Sequence, residues 1–257
     1  MGALGDRMKE NYENRARYKL ARRIPVVIRL DGRAFHSLTR KCDKPFDDDF
    51  ANAMGQTAFE LCREIQGAKC AYLQSDEISV LLTDFDKLDT EAWFDYNLQK
   101  MVSVSAGIAS VVFTMTFEDK LFNAANYGVF DSRAFNLPKE EVANYFVWRQ
   151  TDWLRNSVSM LSQSVFSHNE LHKKSQEDMH EMLHTKGINW ADLDGRWKNG
   201  QFVRKDSDGW GVFDAPIFTQ DREAIEQYLE PRDEAVQDNK PNEPDAYAVR
   251  GSESGKV

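Results

Sequence analysis

The elements legible in this chain predict an α+β fold whose first half runs β-α-β-β-α-β. Two observations predict it. Short apolar runs at 25–30, 69–74 and 77–83 are too brief for helices and end in turn residues, and a fourth strand-like run spans Tyr127–Phe135. Between them lie long segments with helix-start and helix-stop residues.

Residues 5–22 are charged and lack Gly or Pro after Gly5, which predicts an exposed N-terminal helix. Residues 1–23 carry seven basic against three acidic side chains, a net of +4. Residues 25–30 predict a buried strand. Asp47-Asp48-Asp49 then opens a helix to about Ile65, because carboxylates suit a helix N-terminus and Gly67 fits just past its end. Residues 69–74 and 77–83 predict a hairpin turning at Ser75-Asp76. Thr90 is expected to cap a helix to about Phe117, whose small apolar segment Ser103–Ser110 implies close packing.

Pro138 suits the first turn of another long helix, to about Phe166. Residues 175–185 predict a shorter helix closed by Gly187. Gln201–Arg204 and Trp210–Phe213 flank Asp206-Ser207-Asp208-Gly209, a hairpin signal. Residues 219–229 are weakly helical. From Pro231 onward the composition is that of a disordered tail. The expected organisation is therefore a ferredoxin-like domain with its N-terminal helix (1–137), a mostly helical extension with a hairpin packed on it (138–230), and a disordered tail (231–257).

At 257 residues and 41% apolar, the chain suits one large domain or one with an appendage. A net charge of −9 argues against a generic basic nucleic-acid binder. Cys42, Cys62 and Cys70 are an odd number without framework spacing, which predicts reduced thiols in a cytoplasm. No apolar run reaches about 18 residues, so no membrane span is expected.

The chemistry concentrates in two acidic signatures, Arg29-Leu30-Asp31-Gly32-Arg33 and Gln74-Ser75-Asp76-Glu77. In the predicted topology Asp31 ends the first strand and Asp76 lies at the tip of a neighbouring hairpin. Either alone reads as a strand terminator or a turn residue. Together, with Gly32 and Glu77 adjacent, they read as a carboxylate pair able to hold two divalent cations and clamp a triphosphate. Gly32 would let backbone approach phosphates closely. His180-Glu181-Met182-Leu183-His184 matches a zinc-protease pattern, with His168 and His172 nearby, but Gly187 closes the helix and no third-ligand segment follows.

Four motifs in order carry a resemblance: Arg29-Leu30-Asp31-Gly32-Arg33-Ala34-Phe35-His36, Lys44-Pro45, Tyr72-Leu73-Gln74-Ser75-Asp76-Glu77-Ile78-Ser79, and Trp148-Arg149-Gln150-Thr151-Asp152. Over roughly residues 8–215 the chain resembles the tRNA-histidine guanylyltransferase family, and within it most resembles the bacterial guanylyltransferase-like proteins, which repair 5′-truncated tRNAs by templated 3′-to-5′ addition. The resemblance implies a palm domain as in polymerases and nucleotide cyclases. It implies Asp31, Asp76 and Glu77 as catalytic residues, and two Mg²⁺ held by Asp31, Asp76 and the Gly32 carbonyl, hard oxygen donors that suit this ion. It also implies a triphosphate cradle at Arg33, Ala34, Phe35 and His36, further nucleotide contacts from Lys44, Asp47, Ser75 and Lys100, and RNA contacts from Arg149, Gln150 and Asn156. ATP and GTP would be substrates, tRNA the macromolecular partner, and the assembly a homotetramer built as a dimer of dimers.

Leu154 stands where the family's histidine-tRNA enzymes carry a His, although Asn156 is kept. Asn97 stands where eukaryotic members often have Arg. The alternatives are a true tRNA-His guanylyltransferase adding G at position −1, or another palm-domain enzyme using NTP alone, such as a nucleotide cyclase. A metal-free RNA-binding module is a more distant third.

Overall fold

Strand Val26–Gly32 (β1) sits inside a six-stranded sheet, with Val26, Ile28 and Leu30 buried toward one face and Val27 toward the other. The computed structural model describes residues 2–117 and 127–230; the expected tail at 231–257 lies outside them. The other strands are Ala68–Gln74 (β2), Glu77–Leu82 (β3), Phe130–Asn136 (β4), Gln201–Asp206 (β5) and Gly209–Asp214 (β6). Their order is β4-β1-β3-β2-β5-β6 and every neighbouring pair is antiparallel. The C-terminal hairpin β5–β6 thus extends the same sheet beyond β2.

Nine α-helical segments are described. They are Ala3–Met8 (α1), Phe35–Leu38 (α2), Asp48–Glu64 (α3), Leu98–Thr116 (α4), Lys139–Val165 (α5), His168–Leu171 (α6), Gln176–Thr185 (α7), Gly195–Asn199 (α8) and Glu223–Glu226 (α9). Val26, Ile28, Leu30, Ile78, Val80 and Leu82 face the helices α3 and α4, where Ala58, Phe59, Met101, Ala109 and Phe113 close the core. Val27, Tyr72 and Leu81 face the other way, onto Val142 and Phe146 of α5 and onto Phe218. Two cores therefore sandwich the central strands.

Local chemistry accounts for the starts of α3, α5 and α7. Asp47 caps α3 by accepting from the Phe50 N–H. Pro138 precedes α5, and Ser175 with Asp178 forms a capping box at α7.

Three expectations are corrected. The N-terminal helix does not reach residue 22. It passes through a wide turn, ends by Ala16, and has no buried residue. Tertiary pairing overrides helix propensity beyond it, because Leu98 donates to the Tyr18 carbonyl, Leu20 donates to the Tyr96 carbonyl, and Leu20 packs on the core. Thr90 does not cap α4; its hydroxyl accepts from Lys87 N–H, and Asn97 caps the helix instead, accepting from Lys100 N–H. The intervening chain turns through left-handed φ at Phe94, Asp95 and Tyr96. In 219–229 only Glu223–Glu226 is α-helical.

Helix α4 is also long and apolar enough, by length and composition, to cross a membrane, which no single apolar run in the sequence suggested. Here it packs against α3, β4 and β1, burying Met101, Ser105, Ala109 and Phe113.

Candidate active site

The site forms where β1, the β2–β3 turn and the loop into α3 meet. Asp31 pairs across the sheet with Glu77, and the Gly32 N–H donates to the Asp76 carbonyl at 3.0 Å. That bond ties the two acidic signatures together. Gly32 is required for a reason the sequence did not reveal. A Cβ there would lie 2.5 Å from the Phe35 ring, which packs against Phe50, Phe113 and Phe130. Phe35 thereby anchors the exposed turn Arg33–His36, in which Ala34 adopts left-handed φ.

A cavity of about 310 Å³ opens beside this turn. Of the residues expected to bind nucleotide, Gly32, Ala34, Phe35, His36, Lys44, Asp47 and Ser75 line it, together with the expected metal ligand Asp76; Asp31 and Arg33 are not in its lining. Lys44 is exposed, with its ammonium donating to the Thr39 carbonyl at 3.2 Å. Asp47 is buried and accepts from the N–H groups of Asp43 and Phe50, so it shapes the loop that carries Lys44. Arg33 is exposed at the same turn, with its N–H tied to the Val129 carbonyl.

Asp76 is the member whose charge its surroundings disfavour. Burial raises its pKa above the ordinary carboxylate value and the charges of Asp31 and Glu77 push it further up, outweighing the hydrogen bonds from its own backbone N–H and from Ser75. A half-buried carboxylate repelled by a second at the end of a strand is a site that a cation would relieve. The donor set is two carboxylates with a backbone carbonyl adjacent, hard oxygens that fit Mg²⁺.

Glu77 is not part of this open set. It is buried and accepts from Arg149 Nε and Nη2 at 2.6 and 2.7 Å and from Arg29 Nη2 at 2.6 Å. Arg149 is also held by Asp152 at 2.6 Å. Burial alone would lower the Arg149 pKa, but the bonds to Glu77 outweigh it and the net direction is up. Beside them Ser79 and Tyr145 share a hydroxyl bond of 2.8 Å, and burial pushes Tyr145 up to about 12.

The expected RNA contacts at Arg149 and Gln150 are therefore corrected, since both side chains are buried. Gln150 bonds the carbonyls of Asn199 and Pro216 and the N–H of Phe218, fastening α5 to the C-terminal segment. Asn156 remains exposed on α5, on the stripe between Trp153 and Met160, which line the cavity. Trp148, on the same helix, is 50% exposed.

Lys100 is likewise not brought to the site within one chain. Phe113, near the C-terminal end of α4, touches Phe35, whereas Lys100 lies in the helix's first turn, roughly 20 Å away along its axis. Its ammonium lies over the Phe94 ring instead.

Reading the sequence missed the far wall of the cavity. Phe46 stacks on Trp197 with centroids 4.8 Å apart and planes 8° from parallel, and Arg196 bonds Asp48 at 2.7 Å. Only packing joins positions some 150 residues apart. The histidines form no metal centre: His180 packs edge-on against Trp190, and among the described residues no group of three or more His, Cys, Asp or Glu could hold an ion.

A family model described as tRNAHis guanylyltransferase (Thg1) matches residues 5–138. A bacterial tRNA(His) guanylyltransferase-like protein solved in complex with ATP superposes with a TM-score of 0.84 at 47% identity, covering 88% of this chain and 99% of that one. A second bacterial structure of this kind, in complex with GTP, gives 0.75 at 42% identity, covering 89% and 99%. A protein of Dictyostelium discoideum named "Probable tRNA(His) guanylyltransferase" is 27% identical over 202 residues, 72% of this chain and 77% of its own.

Proposed function

The chain belongs to the tRNAHis guanylyltransferase family, nucleotidyltransferases that act on tRNA, and from that premise we propose that it extends the 5′ end of truncated tRNA in the 3′-to-5′ direction, choosing each nucleotide by pairing to the opposite strand. The observation that carries the reading is the cavity, which gathers eight of the expected site residues, from the Gly32–His36 segment, from the Lys44 loop and from the Ser75-Asp76 turn, around one nucleotide-sized space. The β4-β1-β3-β2 order, with α3 and α4 on one face, supports reading the first half as a ferredoxin-like palm of the polymerase and cyclase kind.

A 5′-monophosphate is a poor electrophile. In the first step its oxygen attacks the α-phosphorus of ATP or GTP, releasing pyrophosphate and leaving a nucleotide cap. In the second, the 3′-hydroxyl of an incoming nucleotide attacks the capped 5′-phosphorus, releasing the nucleoside monophosphate. Asp31, Asp76 and the Gly32 carbonyl would hold Mg²⁺, which when bound neutralises charge on the transferring phosphate. The chain's own part is positioning. The Arg33–His36 turn and Ser75 would border the phosphates, Lys44 offers an exposed cation, and the Phe46–Trp197 wall sits where a base can lie. Glu77 with Arg29 and Arg149 fixes the strand that presents Asp76.

The stripe Ser103, Gly107, Val111 and Met115 on α4 is exposed, which supports self-association and, by resemblance, a homotetramer. The buried thiols of Cys62 and Cys70 support a cytoplasmic setting. A second reading, addition of G at −1 of histidine tRNA, is favoured by the name of the Dictyostelium relative. Leu154 weighs against it. The test is incubation with ATP, Mg²⁺, labelled GTP and a 5′-monophosphorylated tRNA lacking its first nucleotide. Labelled RNA one nucleotide longer is expected; unlabelled RNA would refute the reading.

A further inference from the structure

We infer that Trp148 is a stacking platform for an unpaired base of the tRNA acceptor end, an inference that rests on tRNA being the substrate. A half-exposed tryptophan on a helix rim is ordinarily unremarked. Three observations set this one apart.

The first is preorganisation. The Trp148 ring lies against the Arg149 guanidinium at 4.5 Å and the Arg29 guanidinium at 5.9 Å, with Tyr145 edge-on at 5.9 Å. Arg149 is itself fixed by three bonds to Glu77 and Asp152. The indole is thus oriented before any ligand arrives, so binding costs little further ordering. Half of the residue still faces solvent.

The second is position. Arg29 and Asp31 share one face of β1, and on β4 their cross-strand partners Arg133 and Asp131 lie on that same face, both exposed. An open strip of sheet therefore leads from Trp148 to the carboxylates where the reacting 5′ end must sit. In a 5′-truncated tRNA the nucleotide opposite the gap has no pairing partner, and it lies next to that end.

The third is charge. A chain of net −9 is poorly suited to gripping RNA through many phosphates. Stacking needs none, and it accepts any base because every base has a π-face. That matches an enzyme that must accept whichever nucleotide stands opposite the gap.

The test compares wild type, Trp148→Leu and Trp148→Phe for binding of labelled tRNA, truncated at its 5′ end or fully paired, across a salt series. For truncated tRNA, Trp148→Leu is expected to bind about ten-fold more weakly, with the salt slope unchanged and the melting temperature close to wild type, and Trp148→Phe is expected to recover most of the loss. The fully paired tRNA should show little difference. Equal binding of truncated tRNA by wild type and Trp148→Leu overturns the platform alone. A Phe variant as weak as Leu, or an equal loss with paired tRNA, also overturns it. A wild type that binds no tRNA overturns the platform together with the substrate reading beneath it.

Discussion

Asp76 and Glu77 are adjacent in the chain, yet their carboxylates live in opposite surroundings. Glu77 is buried beneath the sheet with two arginines converging on it, so its charge is answered within the protein. Asp76 is half-buried at the rim, and burial together with the neighbouring Asp31 and Glu77 charges outweighs the hydrogen bonds from its own backbone N–H and from Ser75, so the net effect disfavours its ionised form. One residue's advance through a tight turn, with Ser75 in left-handed φ, separates them. A carboxylate paired with arginines holds structure together, whereas one whose hydrogen bonds only partly offset burial and like charge is held in readiness for a cation.

The comparison breaks most visibly at Glu77. Glu77→Ala would strand Arg149 and Arg29 without their counter-charge, and a loss of about 3–5 kcal/mol in denaturant unfolding is expected. A variant as stable as wild type would mean that the closed side is not structural. A weaker probe of that side is Tyr145→Phe, which removes the bond to Ser79 and should cost about 1 kcal/mol in the same measurement.

On the open side the sign reverses. Because the folded chain raises the Asp76 pKa, it binds that proton more tightly than the unfolded chain does. Stability is therefore lost as pH rises from the ordinary carboxylate value through the raised folded value. Without divalent ions, Asp76→Asn should be slightly more stable than wild type near neutral pH, with the gain fading toward acid. Added Mg²⁺ should raise the melting temperature of wild type and not of Asp76→Asn. A destabilised Asp76→Asn, or equal Mg²⁺ shifts, would place Asp76 with the structural carboxylates.

Much of the frame was legible because it rests on local signals. The strands followed from apolar runs, α3 from the Asp47-Asp48-Asp49 run, and α5 from Pro138. The start of α4 was not, because Thr90 and Asn97 are both competent caps and only the packing of Trp93 and Tyr96 selects the second. The acidic signatures and the Lys44 loop were legible as a site through spacing and resemblance. The partners of Arg149 and Gln150 were not, since an arginine in a motif looks the same whether it meets RNA or a buried glutamate. Lys100 and the Phe46–Trp197 wall required knowing how helices are directed over the sheet, which no local pattern encodes.

The most direct measurement of the central claim is nucleotide incorporation into 5′-truncated tRNAs that differ in anticodon and in the base opposite the gap, by wild type, Asp31→Ala and Asp76→Ala. Addition to tRNAs of several identities is expected, with the incoming base following the opposing one. Either variant is expected to retain less than about 1% of the activity while remaining folded, since losing charge stabilisation at such a site costs several kcal/mol in the transition state. Strict dependence on a histidine anticodon, addition of G whatever the opposing base, or substantial activity in either variant would contradict the claim.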